Sequence, residues 1–134
     1  MKAIADTGFI VAFKNRSDQH HGWAVAVARD LDAPALTCES VLSEAAFHLG
    51  STEQTLALVA AGMLRVSFDC NQHIEKLREL ALRYADRNPD LADLCLIRMS
   101  ELNPHHAILT IDQEDFRIYR RNKREAIPLL CPPK

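Results

Sequence analysis

Residues 1–14 read MKAIADTGFIVAFK, and this stretch decides the fold. Lys2 to Asp6 is short, largely apolar and closed by an acid, which suits a buried strand. Thr7 to Lys14 follows at once as a short helix, with Asp6 standing where an N-cap belongs. A strand running straight into a helix is the unit of a parallel sheet, because parallel neighbours need a crossover between them. The alternation continues along the chain. Gln19–Leu31 carries Trp23, Val27 and Leu31 at helical spacing, and Ala35–Thr37 reads as a second strand. Glu39–Leu49 and Thr52–Ala61 read as helices stopped by Gly50 and Gly62. Met63–Phe68 is a third strand with one less buried face. Asn71–Asp86 is a long amphipathic helix with Ile74, Leu77, Leu80, Ala81 and Tyr84 along one stripe. Asn88-Pro89 opens the helix Asp90–Leu102, and Ala107–Ile111 is a strongly apolar strand. Ile127–Leu130 is a last strand that Pro128 confines to an edge. The expectation is a single α/β domain over residues 1–134 with a mainly parallel sheet and right-handed crossovers.

Composition bounds the function. Hydrophobic residues make up 48% and charged residues 25%, ordinary values for a folded domain. No apolar run approaches the ~20 residues that span a bilayer, and the start of the chain meets Asp6 before any leader-like core. The expected location is therefore cytoplasmic, with no membrane partner. The four cysteines form no CxxC or CxxH pair, so they read as small core residues rather than zinc ligands. Trp23, Phe47 and Phe68 read as core. The adjacent pairs His20-His21 and His105-His106 are poorly placed to chelate.

The net charge of −2 excludes a chain that binds nucleic acid through overall basicity. The cations are nevertheless unevenly placed. Arg117, Arg120, Arg121, Lys123 and Arg124 fall within eight residues, leaving −7 for the rest once these five are taken from the net −2. This segment is a candidate grip for RNA phosphates, with Tyr119 as a base-stacking side chain. A solvated basic loop is the alternative.

Acids cluster where ligands bind in open parallel sheets, beyond the C-terminal strand ends. Asp6 follows the first strand and Asp112 follows AILTI. Asp90 and Asp93 share a face in the first turn of their helix, and Glu39 or Glu44 lies on the helix after the second strand. Singly, each has a plain structural reading as a cap, an Asx turn or a solvated helix residue. Together they suit a hard divalent cation such as Mg²⁺ or Mn²⁺, and through it phosphoryl chemistry.

In IADTGFIVAF, LTCESVLSEAAFHLG, NPDLADLCLI and LTIDQEDFRIYRR, taken in order, the chain resembles the PIN domain family, and within it the VapC-type toxin ribonucleases. Each motif is weak alone, whereas the ordered set spans nearly the whole chain. The resemblance implies a three-layer α/β/α fold and a site of Asp6, Glu44, Asp93 and Asp112. It selects Glu44 over Glu39 through LSEA, adds Asp90 and Asp115 as supporting carboxylates, and puts Thr7 and Thr110 at the small hydroxyl positions. It implies Mg²⁺- or Mn²⁺-dependent cleavage of RNA by a metal-activated water. It also implies a small cognate antitoxin and a homodimer. Leu94 and Cys95 depart from the family, which commonly has small residues after the third acid.

Two other readings compete. A module of the same fold could bind RNA or protein with little catalysis. A receiver-like phosphoacceptor would need an acidic pair after the first strand and a lysine after a late one. Asp6 has no acidic neighbour and the late strand ends in Asp112, which disfavours it.

Overall fold

A computed structural model describes all 134 residues. Five parallel strands form the central sheet: β1 (Ala3–Ala5), β2 (Ala35–Thr37), β3 (Leu64–Val66), β4 (Ala107–Leu109) and the C-terminal β7 (Leu129–Leu130). They lie in the order β3-β2-β1-β4-β7. The helices are α1 (Thr7–Lys14), α2 (His21–Arg29), α3 (Glu39–Leu49), α4 (Thr52–Ala60), α5 (Ile74–Arg83), α6 (Leu91–Leu102) and α7 (Gln113–Ile118). The remaining two strands, β5 (Arg120–Arg121) and β6 (Glu125–Ala126), make a separate antiparallel hairpin.

The architecture is α/β, a three-layer α/β/α fold, as the alternation of strands and helices implies. α1–α4 pack on one another and α5 packs on α6, which fits right-handed crossovers on opposite faces of a sheet whose order reverses direction at β1. The register is fixed by β1, which is buried throughout and pairs on both sides. Ile4 stands opposite Leu36 of β2 and Ile108 of β4. α6 lies against β1 and β4 and is buried along Leu94, Cys95, Leu96 and Ile97. No helix is long and apolar enough to cross a membrane.

Several boundaries differ from the sequence reading. β3 is Leu64–Val66, shorter than the expected Met63–Phe68. The long helix expected over Asn71–Asp86 is α5 flanked by two 3₁₀ turns, Cys70–His73 and Ala85–Arg87. β7 is an edge strand, as Pro128 requires: its carbonyl accepts from Ile108 N–H at 2.9 Å. α7 and the β5–β6 hairpin were not foreseen. Phe47 corrects the core expectation, since it is 82% exposed. The inward stripe of α3 runs through Val41 and Ala45, and Phe47 stands half a turn off it. Phe68 is buried, and Trp23 packs edge-on to Phe9 with centroids 5.8 Å apart. All four cysteines are free thiols, Cys38 and Cys95 buried and Cys70 and Cys131 half-buried.

Candidate metal-binding site at the sheet edge

The chain leaves β1 toward β2 on one side and leaves β4 toward β7 on the other, so the crevice beyond these two strand ends is a topological switch point. A cavity of about 480 Å³ opens there. Its wall carries seven carboxylates: Asp6, Asp18, Glu44, Asp90, Asp93, Asp112 and Asp115. Arg87 is the only lysine or arginine among its lining residues, and His48 the only histidine.

Asp6 is the best-held acid. It caps α1, and one oxygen accepts from Thr7 N–H at 2.7 Å. The other accepts from the Thr110 hydroxyl at 2.7 Å. Thr110 in turn accepts from Asp112 N–H at 2.9 Å, so one buried hydroxyl ties the acid after β1 to the acid after β4. The Thr7 hydroxyl donates to Glu44 at 2.8 Å, which brings α3 to the same rim. Asp90 caps α6 by accepting from Asp93 N–H at 2.9 Å, and Asp112 caps α7 by accepting from Asp115 N–H at 3.2 Å. The capping and site readings of Asp6, Asp90 and Asp112 therefore coexist, because a cap fixes one oxygen and leaves the carboxylate at the rim.

Electrostatics follow from burial. Asp6 is 8% exposed, and loss of water pushes its carboxyl up to about 6 despite the two donors that favour its charge. Asp93 is pushed up to about 7, first by burial and then by Asp90 and Asp6, against the Tyr119 hydroxyl that donates to it at 3.1 Å. Burial also raises Asp112. No basic side chain pairs with any of these three. The one cation in the wall, Arg87, is taken by Asp115 at 2.8 Å.

A hard, oxygen-rich donor set with excess negative charge fits Mg²⁺ or Mn²⁺ in kind. No three acidic, histidine or cysteine side chains are spaced to close on one ion.

The structure brings Asp6, Thr7, Glu44, Asp90, Asp93, Asp112 and Asp115 to one cavity and places Thr110 directly behind it. It disperses the basic segment. Arg121 is 5% exposed, with its guanidinium bound to Glu125, Ser100 and the Pro104 carbonyl, so it is not presented to a phosphate. Arg120 donates to the carbonyls of Arg117 and Tyr119. Lys123 and Arg124 are exposed in the hairpin turn, away from the cavity wall. Arg117 borders a shallow depression beside Asp112. Tyr119 is buried with its hydroxyl on Asp93, so it supports an acid rather than offering a stacking face.

Sequence reasoning missed Asp18, Arg87 and His48. Asp18 and Arg87 stand in turns, without strand-end or helix-face spacing to mark them. No protein-family model matches the chain, and a search of curated proteins finds no match.

Proposed function

We propose that the chain is a Mg²⁺- or Mn²⁺-dependent ribonuclease of the PIN type, the toxin of a toxin–antitoxin pair. The observation that carries the nuclease reading is the convergence of Asp6, Glu44, Asp93 and Asp112 on one cavity. The ordered motif set carries the toxin, the cognate antitoxin and the homodimer, and the cytoplasmic location rests on the lack of a membrane-length apolar run.

Asp6, Glu44, Asp93 and Asp112 would hold the cation, with Asp90 beside them. When bound, it supplies Lewis-acid polarisation of a phosphoryl oxygen and lowers the pKa of water. The chain's own residues prepare the site. Thr7 N–H and the Thr110 hydroxyl fix both oxygens of Asp6 before any ligand arrives. The Thr7 hydroxyl aims Glu44, and the Tyr119 hydroxyl aims Asp93. Such preorganisation removes a reorganisation cost from the reaction. Arg87 offers the wall's only guanidinium to an approaching phosphate, at the expense of its bond to Asp115.

The test is cleavage of mixed RNAs by purified protein with Mg²⁺, Mn²⁺ or EDTA. Cleavage should require the metal and fall at least about 100-fold in Asp6→Asn and Asp93→Asn. Equal cleavage by wild type and variants would overturn the site. One observation favours a second reading, a binding module of the same fold with little catalysis: the acids do not close on a single ion. Metal-independent RNA affinity without cleavage, at high protein concentration with Mn²⁺, would select that reading.

A further inference from the structure

Cys70 and Cys95 lie 25 residues apart in the chain, yet their sulfurs are 3.5 Å apart. Cys70 opens the 3₁₀ turn after β3 and is half-buried, whereas Cys95 lies wholly buried on α6. One thiol is therefore reachable from solvent and the other sits behind it. A disulfide needs its sulfurs at about 2.05 Å, so closure asks for an approach of about 1.5 Å. The short turn that carries Cys70 is the element able to supply it, since α6 is locked against the sheet. The wholly buried Cys38 thiol also bonds Cys95, so Cys95 stands between two thiols, and of those two Cys70 is the one less buried. Cys131 is half-buried like Cys70 but has no thiol beside it.

We propose that Cys70 and Cys95 form a reversible oxidation site for hydroperoxides, Cys70 taking the oxygen and Cys95 resolving it. The Cys70 sulfur attacks hydrogen peroxide, the O–O bond breaks, and one oxygen leaves as water while the other stays as a sulfenic acid. The Cys95 sulfur then attacks the Cys70 sulfur. The S–O bond breaks, a second water leaves with the Cys95 proton, and the S–S bond forms. Two thiols and one peroxide thus give one disulfide and two waters. The new bond would pin the turn after β3 to α6, the helix that carries Asp93. The proposal concerns the thiols themselves and stands apart from the nuclease reading.

The full-length folded protein is titrated with hydrogen peroxide, quenched with N-ethylmaleimide and digested with trypsin without reductant. Cys70, Cys95, Cys38 and Cys131 fall in four different tryptic peptides. The expected product joins residues 66–76 to residues 88–98, lighter by two hydrogens than the separate peptides and released by dithiothreitol. In Cys95→Ser, Cys70 should stop at the sulfenic acid and be trapped by dimedone. Oxidation of Cys131 or Cys38 ahead of Cys70 would overturn the proposal. So would a Cys38–Cys95 link, or Cys70 passing to sulfinic acid in the wild type with no link formed.

Discussion

The last acids of the rim, Asp112 and Asp115, and the basic hairpin follow one another in the chain, yet rim and hairpin assemble by different rules. Asp6, Asp90, Asp93, Asp112 and Asp115 converge because they sit beyond a strand end or in the first turn of a helix, and the sheet order brings those ends to one edge, where α3 adds Glu44. The cations of residues 117–124 share only sequence proximity. The hairpin turns Arg121 inward, leaves Lys123 and Arg124 outside, and ties Arg120 to carbonyls. Topology gathers residues far apart in the chain, while local crowding of like charges gathers nothing.

The sharpest way to break this contrast is Arg121→Ala. If Arg121 is structural, the substitution leaves Glu125 and the carbonyls of Ser100 and Pro104 without their buried partner. Stability should fall by about 2–3 kcal/mol through the Ser100 and Pro104 carbonyls left without a donor, read as a lower urea midpoint at unchanged slope. An unaltered midpoint with weakened RNA binding would return Arg121 to the binding surface.

The next effect is pH-linked. Asp93 and Asp6 have folded-state carboxyls raised from 3.8 to about 7 and about 6. The folded protein therefore holds these protons more tightly than the unfolded chain. Their contribution to stability is present below the unfolded value and is lost as pH rises from about 4 to about 7, with a plateau above. For buried Asp6 this amounts to about 2–3 kcal/mol. Metal-free protein should thus melt lower at pH 8 than at pH 5. Mg²⁺ should remove much of that slope, and Asp93→Asn should stabilise the metal-free protein at pH 8. A melting temperature that rises steadily over this range, with no response to Mg²⁺, would contradict the charge balance of the rim.

Gly8 tests how closely the rim is packed. A Cβ there would collide with the Ile111 side chain, so α1 approaches the segment after β4 only because residue 8 lacks one. Gly8→Ala should cost about 1–2 kcal/mol in chemical denaturation, and Ile111→Ala should recover part of it. Least of all, Lys123→Ala with Arg124→Ala should change stability by less than about 0.5 kcal/mol. It should also leave the salt dependence of RNA binding nearly unchanged. A clearly reduced salt slope would show that the hairpin does meet phosphate.

These particulars mark what was legible. β1 into α1 was readable because an apolar run, a capping Asp6 and a helical pattern agree over adjacent residues. Asp112 was readable for the same reason after Ala107–Ile111. α7 was not, since QEDFRI has too few apolar residues for a period, and Phe116 alone anchors it. The inward turn of Arg121 depends on a three-residue loop in which Asn122 and Lys123 adopt positive φ, and lysine gives no warning of that. Phe47 misled because its size suggested burial while its phase on α3 points outward. Arg87 lay hidden because its partner Asp115 is 28 residues away.

The Asp6–Thr110 bond spans 104 residues. No local folding event can make it, because β1 must wait for β4 before its second edge is covered. Closing so long a loop is slow and comes after the nearer contacts of α3 with α4. A ribosome must therefore release almost the entire chain before the acids meet. An emerging fragment that ends before β4 lacks the hydroxyl that holds Asp6, so whatever the finished rim does, the growing chain cannot do beside the RNA from which it is made.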